Sequence, residues 1–165
     1  MLLECKIVYL LLGSNLGDRR GIIEEAIVRI NKQLGVLVSK SSYYETAAWG
    51  NEDQPSFLNL AVGVNTSKTA HEVLKTILGI EEDLGRVRKD KWGARLIDID
   101  IILYGEECVD DGERLKIPHP YMQERRFVLE PLSEIAAEVI HPVLKQNVLT
   151  ILSNLRDSLT VTKIS

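Results

Sequence analysis

Two stretches of apolar residues at helical spacing alternate with four β-rich runs along this chain, in the order β-α-β-β-α-β. That order predicts an α+β fold: a ferredoxin-like sandwich with a central antiparallel sheet flanked by helices and with additions at the C-terminus. The size agrees. A chain of 165 residues, 45% hydrophobic and 27% charged, buries a sound core as one compact domain. No repeat, low-complexity tract or interdomain linker interrupts residues 1–165, so a single domain is expected.

Lys6 to Leu12 is a β-rich apolar run that stops at Gly13-Ser14-Asn15, a group with turn chemistry. Asp18 is a good N-cap, and Ile22, Ile23, Ala26, Ile27, Ile30 and Leu34 then recur at helical spacing as far as Gly35. Val36 to Glu45 reads as one long strand and Phe57 to Asn65 as another. Between them, Trp49 to Pro55 has loop composition and enough length to carry function. The second helix opens at Thr69, with Glu72 placed for a capping box, and carries Val73, Leu74, Ile77, Leu78 and Leu84 to Gly85. Residues 85–95 read as a basic loop and Leu96 to Tyr104 as a strand. A hairpin around Asp111-Gly112 is expected between Glu106 and Ile117, then a corner at Pro118-His119-Pro120. Short helices over Phe127 to Ala137 and Asn147 to Leu155 finish the pattern.

Bulk properties narrow the function. The longest apolar run, Ile7 to Leu12, is far below the roughly 20 residues of a membrane span, and no signal-like leader precedes it. Cys5 and Cys108 are too few for a disulfide framework and lack metal-ligand spacing, which fits a reducing cytoplasm. A formal charge of −4 disfavours general attraction to polyanions. A phosphate site therefore needs a local concentration of base.

That concentration exists. Gly85-Arg86-Val87-Arg88-Lys89-Asp90-Lys91-Trp92-Gly93-Ala94-Arg95 sets five bases against one acid in eleven residues. Guanidinium groups bind phosphate oxygens through paired hydrogen bonds, and flanking glycines let a loop close over a substrate. Immediately downstream, Asp98 and Asp100 share one face of a strand while Ile97, Ile99 and Ile101 take the other. Two carboxylates so placed suit a hard divalent cation that also binds substrate phosphates. An ordinary half-exposed strand, a solvated basic loop and a nucleic-acid patch are the competing readings of these segments. Gly13-Ser14-Asn15-Leu16-Gly17-Asp18 lacks the residues of a P-loop or a dinucleotide fingerprint, so a turn with a helix cap is the better reading. His119, between two prolines, suits either a structural corner or a donor to a phosphate oxygen. Phe57 and Phe127, the only two Phe in the chain, lie near Asn59 and Arg125, and are either core residues or an aromatic sandwich for a flat heterocycle.

Taken together, Gly13-Ser14-Asn15-Leu16, Thr46 to Gly50, Asp53-Gln54-Pro55-x-Phe57-Leu58-Asn59, Gly85-Arg86-Val87-Arg88, Trp92-Gly93-x-Arg95, Leu96-Ile97-Asp98-Ile99-Asp100-Ile101, Ile117-Pro118-His119-Pro120, Arg125 and Phe127 resemble the 6-hydroxymethyl-7,8-dihydropterin pyrophosphokinase family. The resemblance runs from Tyr9 to about His141. It implies transfer of the β,γ-pyrophosphoryl unit of ATP to the hydroxymethyl oxygen of the pterin, with release of AMP, in folate biosynthesis. It further implies two Mg²⁺ held by Asp98 and Asp100, with Arg86 and Arg88 beside them in catalysis, and a pterin site made by Thr46, Trp49, Phe57, Asn59 and Phe127. For ATP it implies Leu74, Glu81, Lys89, Trp92, Arg95, Ile101, Arg114, Lys116, His119 and Arg125. Ala47-Ala48 stands where the family often has a proline, and Leu78 where some members are polar. Small-molecule partners, no nucleic acid, no membrane, a cytoplasmic location and a monomer or weak homodimer complete the expectation. An RNA-binding module, a metal-dependent hydrolase and a non-catalytic ligand sensor are the rivals, and each leaves the joint occurrence of these motifs unexplained.

Overall fold

The computed structural model describes residues 4–47, 55–85 and 96–165. Its central strand, β1 (Lys6–Ser14), is hydrogen-bonded on both sides and buried against a core on each face, and the cover on both faces is why its sequence is a nearly continuous apolar run rather than a strict alternation. On one side lies β4 (Phe57–Thr66) and on the other β5 (Asp98–Tyr104), both antiparallel to it. The outer edge of β4 is occupied twice, by β2 (Val36–Lys40) and by β3 (Tyr44–Thr46). The spatial order β5-β1-β4-β2/β3 is the expected ferredoxin-like one, with its second strand in two pieces.

Those two pieces correct the single long strand expected over Val36 to Glu45. At the break, the Ser41 N–H donates to the Ala61 carbonyl and the Ser41 hydroxyl accepts the Ala61 N–H, both at 2.9 Å. A side chain thus replaces the main-chain acceptor there, and the ladder restarts three residues later. The Glu134 carboxylate accepts the Ser42 N–H and hydroxyl at 2.7 Å each, which holds the chain in that detour.

Two helices cover one face of the sheet. Asp18 caps α1 (Arg19–Gln33) by accepting the Gly21 N–H at 3.0 Å, and Thr69 and Glu72 form the reciprocal capping box of α2 (Ala70–Asp83). Their buried sides, including Ile23, Ile27, Ile30, Val73 and Ile77, pack on Val8, Leu10 and Leu12 of β1 and Leu58, Leu60, Val62 and Val64 of β4. Opposite, α3 (Arg126–Ala136) and α4 (Val148–Ser153) pack on Leu11, Ala61 and Leu103. A bulge where Ile102 intrudes between the pairs Tyr9↔Leu103 and Leu10↔Ile101 turns both Ile102 and Leu103 toward this second core.

The expected hairpin forms from β6 (Val109–Asp111) and β7 (Leu115–Ile117), with Gly112 at φ +60° in its turn. A cis Ile117–Pro118 bond and a short 3₁₀ turn (Met122–Glu124) follow. Absent from the sequence expectation is β8 (Val161–Lys163), which pairs with the free edge of β3. Both cysteines are exposed and in no disulfide, and no helix among the described residues is long and apolar enough to cross a membrane.

Candidate active site

Pairing register decides which side chains meet. Gly13 lies opposite both Asn59 and Asp98, Leu11 opposite Ala61 and Asp100, and Thr46 opposite Phe57. Paired residues share a face, so Phe57, Asn59, Asp98, Asp100 and Thr46 all point to the side that α3 covers only in part. There a cavity of about 260 Å³ opens, lined by those five residues together with Leu11, Gly13 and Ala47, by Arg125 and Phe127 at the start of α3, and by Leu159. A second cavity, about 350 Å³, lies between α2, β5 and the β6–β7 hairpin, where Leu74, Glu81, Ile101, Arg114, Lys116 and His119 line it. Asp98 and Asp100 line both cavities.

β5 is an edge strand, and its outer backbone groups find partners among these same residues. Glu81, only 3% exposed, accepts the Ile99 N–H at 2.9 Å, directly between the two aspartates. The His119 N–H donates to the Ile102 carbonyl at 2.9 Å. Both contacts fix the strand that presents the acids. The His119 ring accepts the Tyr121 N–H through Nδ1 at 3.2 Å, which places the proton of the neutral ring on Nε2. Burial, and secondly the positive charge of Arg125, lower the His119 pKa to about 4, so the ring is a neutral N–H donor at physiological pH. The Arg125 guanidinium sits 5.0 Å from the centre of the Tyr121 ring and 5.6 Å from that of Phe127.

Two observations mark the first cavity as built for a polar ligand. Thr46 is 4% exposed, and its hydroxyl oxygen is buried with no hydrogen-bond partner among the described residues. An orphaned buried hydroxyl costs about 1–3 kcal/mol unless a ligand satisfies it. Asn59 is equally buried, and a Cβ on Gly13 would lie 2.4 Å from its Oδ1, so only glycine leaves room for that amide.

The turn after β1 does more than cap a helix. Asn15, 1% exposed, donates to the Pro55 carbonyl at 3.3 Å, while Arg19 donates to the Ser56 carbonyl and hydroxyl at 3.1 Å and pairs with Glu45 at 2.9 Å. It clamps the chain entering Phe57. Trp49 of the expected pterin site, and Arg86, Arg88, Lys89, Trp92 and Arg95 of the basic loop, lie outside the described residues. Every other expected site residue lines one cavity or both. In the first cavity the sequence reading missed Leu11, Gly13 as a site residue, and Leu159, and it noted Ala47 only as a departure from the family. The first two are visible only once β1 is registered against β4 and β5, and no local pattern marks the third.

A sequence model of the family 7,8-dihydro-6-hydroxymethylpterin-pyrophosphokinase (HPPK) matches residues 9–137. The chain belongs to the HPPK family. An enzyme of Bacillus subtilis named 2-amino-4-hydroxy-6-hydroxymethyldihydropteridine pyrophosphokinase is 46% identical over 134 residues, covering 81% of this chain and 80% of its own. One of the same name from Methylorubrum extorquens is 45% identical over 133 residues, covering 80% and 84%. Among solved structures, wild-type Plasmodium falciparum HPPK-DHPS with pteroate shares the fold with a TM-score of 0.74 at 18% identity. That match takes in 93% of this chain and 43% of the Plasmodium chain. As an HPPK, the protein transfers pyrophosphate, with ATP as co-substrate, to hydroxymethyldihydropterin in folate synthesis.

Proposed function

We propose that the 260 Å³ cavity takes the dihydropterin, that the 350 Å³ cavity takes ATP, and that Asp98 and Asp100 hold two Mg²⁺ ions where the two meet. The observation that carries this reading is the double role of the aspartates, which line both cavities and would therefore face the phosphates wherever ATP reaches toward the pterin. Their donor set fits the ion. Two carboxylates on neighbouring same-face positions suit a hard cation that keeps waters and phosphate oxygens as its other ligands. Bound there, Mg²⁺ supplies charge neutralisation along the phosphates.

The chain's own groups bind and orient. Phe57 and Phe127 stack on the heterocycle, the Thr46 hydroxyl and the Asn59 amide meet its polar edge, and Trp49 completes the pocket. Leu74, Ile101, Arg114 and Lys116 frame the adenosine. His119 donates Nε2–H to a phosphate oxygen, and Arg125 adds positive charge. Arg86, Arg88, Lys89 and Arg95, with Trp92, bind the ATP phosphates and offset their charge. Glu81 acts through the Ile99 amide to keep the aspartates aimed. The hydroxymethyl oxygen attacks the β-phosphorus, the bond from that phosphorus to the α,β-bridging oxygen breaks, AMP departs with that oxygen, and the hydroxyl proton passes to water.

With small molecules as its substrates, the protein works as a cytoplasmic monomer or weak homodimer without nucleic-acid or membrane partners. The test is incubation with ATP, Mg²⁺ and 6-hydroxymethyl-7,8-dihydropterin, with AMP and ADP followed separately, and again with the metal chelated. Pterin-dependent AMP without ADP, lost on chelation, is the expected result. ADP formed regardless of pterin, or turnover unaffected by chelation, overturns the proposal.

A further inference from the structure

The segment that follows α4 lies outside residues 9–137, yet it is attached beside the first cavity at Arg126 and to one of its lining residues at Thr46. At its start, Asp157 accepts the Arg126 N–H through Oδ2 at 3.2 Å, and its carbonyl accepts Arg126 Nε at 3.4 Å. Arg126 is the residue between Arg125 and Phe127. The other carboxylate oxygen of Asp157 accepts the Leu159 N–H at 3.0 Å, which turns the chain back toward the sheet. At its far end, Val161 pairs with Thr46, Thr162 with Glu45 and Lys163 with Tyr44. Alternate residues Asp157, Leu159 and Val161 are half-buried, while Ser158 and Thr160 are exposed, so the inward positions repeat every second residue.

Between its two anchors the segment presents Leu159 to the cavity, beside Phe127 and Thr46. Leu159, Phe127 and Arg125 also line a neighbouring cavity of about 410 Å³, together with Glu124 and Asp157. Leu159 is therefore part of the wall between two spaces.

We infer that residues 157–161 form a strap closing the pterin site. In it Leu159 is a specificity-determining contact for the heterocycle, and Asp157 is a positioning residue that sets Phe127 and Arg125. The inference rests on the reading that this cavity holds the pterin. An apolar wall of fixed size rewards a flat ring that fills the space up to it, and shortening the wall leaves a gap that the substrate does not fill. Asp157 works differently: it satisfies a backbone N–H at the first turn of α3, and losing it frees the turn that carries Phe127.

Steady-state kinetics on the full chain test this with Leu159→Ala, Leu159→Met, Asp157→Ala, Asp157→Asn and Phe127→Ala, each checked by thermal melting. Leu159→Ala is expected to raise the KM for 6-hydroxymethyl-7,8-dihydropterin about tenfold with the KM for ATP unchanged, and Leu159→Met to recover most of the loss. Asp157→Ala is expected to raise the pterin KM and lower kcat, and Asp157→Asn, which keeps an acceptor oxygen, to restore part of both. Equal rises in the two KM values, or no change in either with Leu159→Ala while Phe127→Ala still raises the pterin KM, overturn the strap and leave the pterin site standing. If Phe127→Ala too leaves the pterin KM unchanged, the cavity assignment falls and the strap with it.

Discussion

The two faces of the central sheet are built from the same strands and treat burial in opposite ways. On the face under α1 and α2, the inward positions along the middle of β1 and β4 are apolar, Val8, Leu10, Leu12, Leu58, Leu60, Val62 and Val64, each at most 1% exposed, and the buried polar residues Ser14 and Thr66 stand only at the strand ends. On the other, Leu11, Ala61 and Leu103 are apolar, but alternate positions nearer the Ser14 end become Asn59, Asp98 and Asp100, with Thr46 alongside. A polar group under a helix is costly unless it is hydrogen-bonded there, as Thr66 is to the Leu34 carbonyl at the end of α1. The site therefore occupies the part of the sheet where helical cover stops, and one face supplies rigidity while the other supplies chemistry.

The sharpest way to break this comparison is to remove the acids. Asp98→Ala or Asp100→Ala is expected to cut turnover on the order of 10³-fold while the melting temperature stays near that of the parent, since neither carboxylate belongs to the core. A variant with near-normal activity would sink the metal assignment. Next come the neighbours Asn59 and Leu60, which point to opposite faces. Leu60→Ala should cost about 2–5 kcal/mol in denaturant unfolding and leave the pterin KM of the folded enzyme alone. Asn59→Ala should do the reverse, and matching profiles for the pair would contradict the division of labour. Gly13→Ala pushes a methyl group into the Asn59 amide and should raise the pterin KM about tenfold, the worth of roughly one displaced hydrogen bond.

The smallest expected effect concerns His119, whose pKa falls from 6.5 to about 4 on folding. Between those values the unfolded chain binds the extra proton, so the contribution of this group to stability is complete above pH 6.5 and is lost as pH falls toward 4. Replacing it in His119→Asn should flatten that stretch of the stability profile in urea melts from pH 7 to 4. An unchanged slope would remove the histidine from the account.

Much of this was legible in the sequence because it is periodic. The order of elements and the common face of Asp98 and Asp100 follow from spacings of two or about 3.6 residues, and both helix caps and the hairpin from local residue chemistry at Asp18, at Thr69 with Glu72, and at Asp111-Gly112. The broken second strand was not legible, because it depends on the hydroxyl of Ser41 standing in for a carbonyl. Nor was β8: Val161–Lys163 is three residues long with two polar side chains, and it is a strand only because β3 offers it an edge. In the site, Phe57 and Asn59 could be named from their alternation, and Thr46 from family resemblance. Gly13 and Leu159 join through contacts between distant segments, which no local window contains.

An edge strand invites a second molecule to pair with it. Here the amide of Ile99 is taken by Glu81 and the carbonyl of Ile102 by His119, so the groups that aim the site also withhold the edge from neighbouring chains. Losing Glu81 would expose a sticky backbone as well as loosen two aspartates, and its first symptom would be self-association as protein concentration rises.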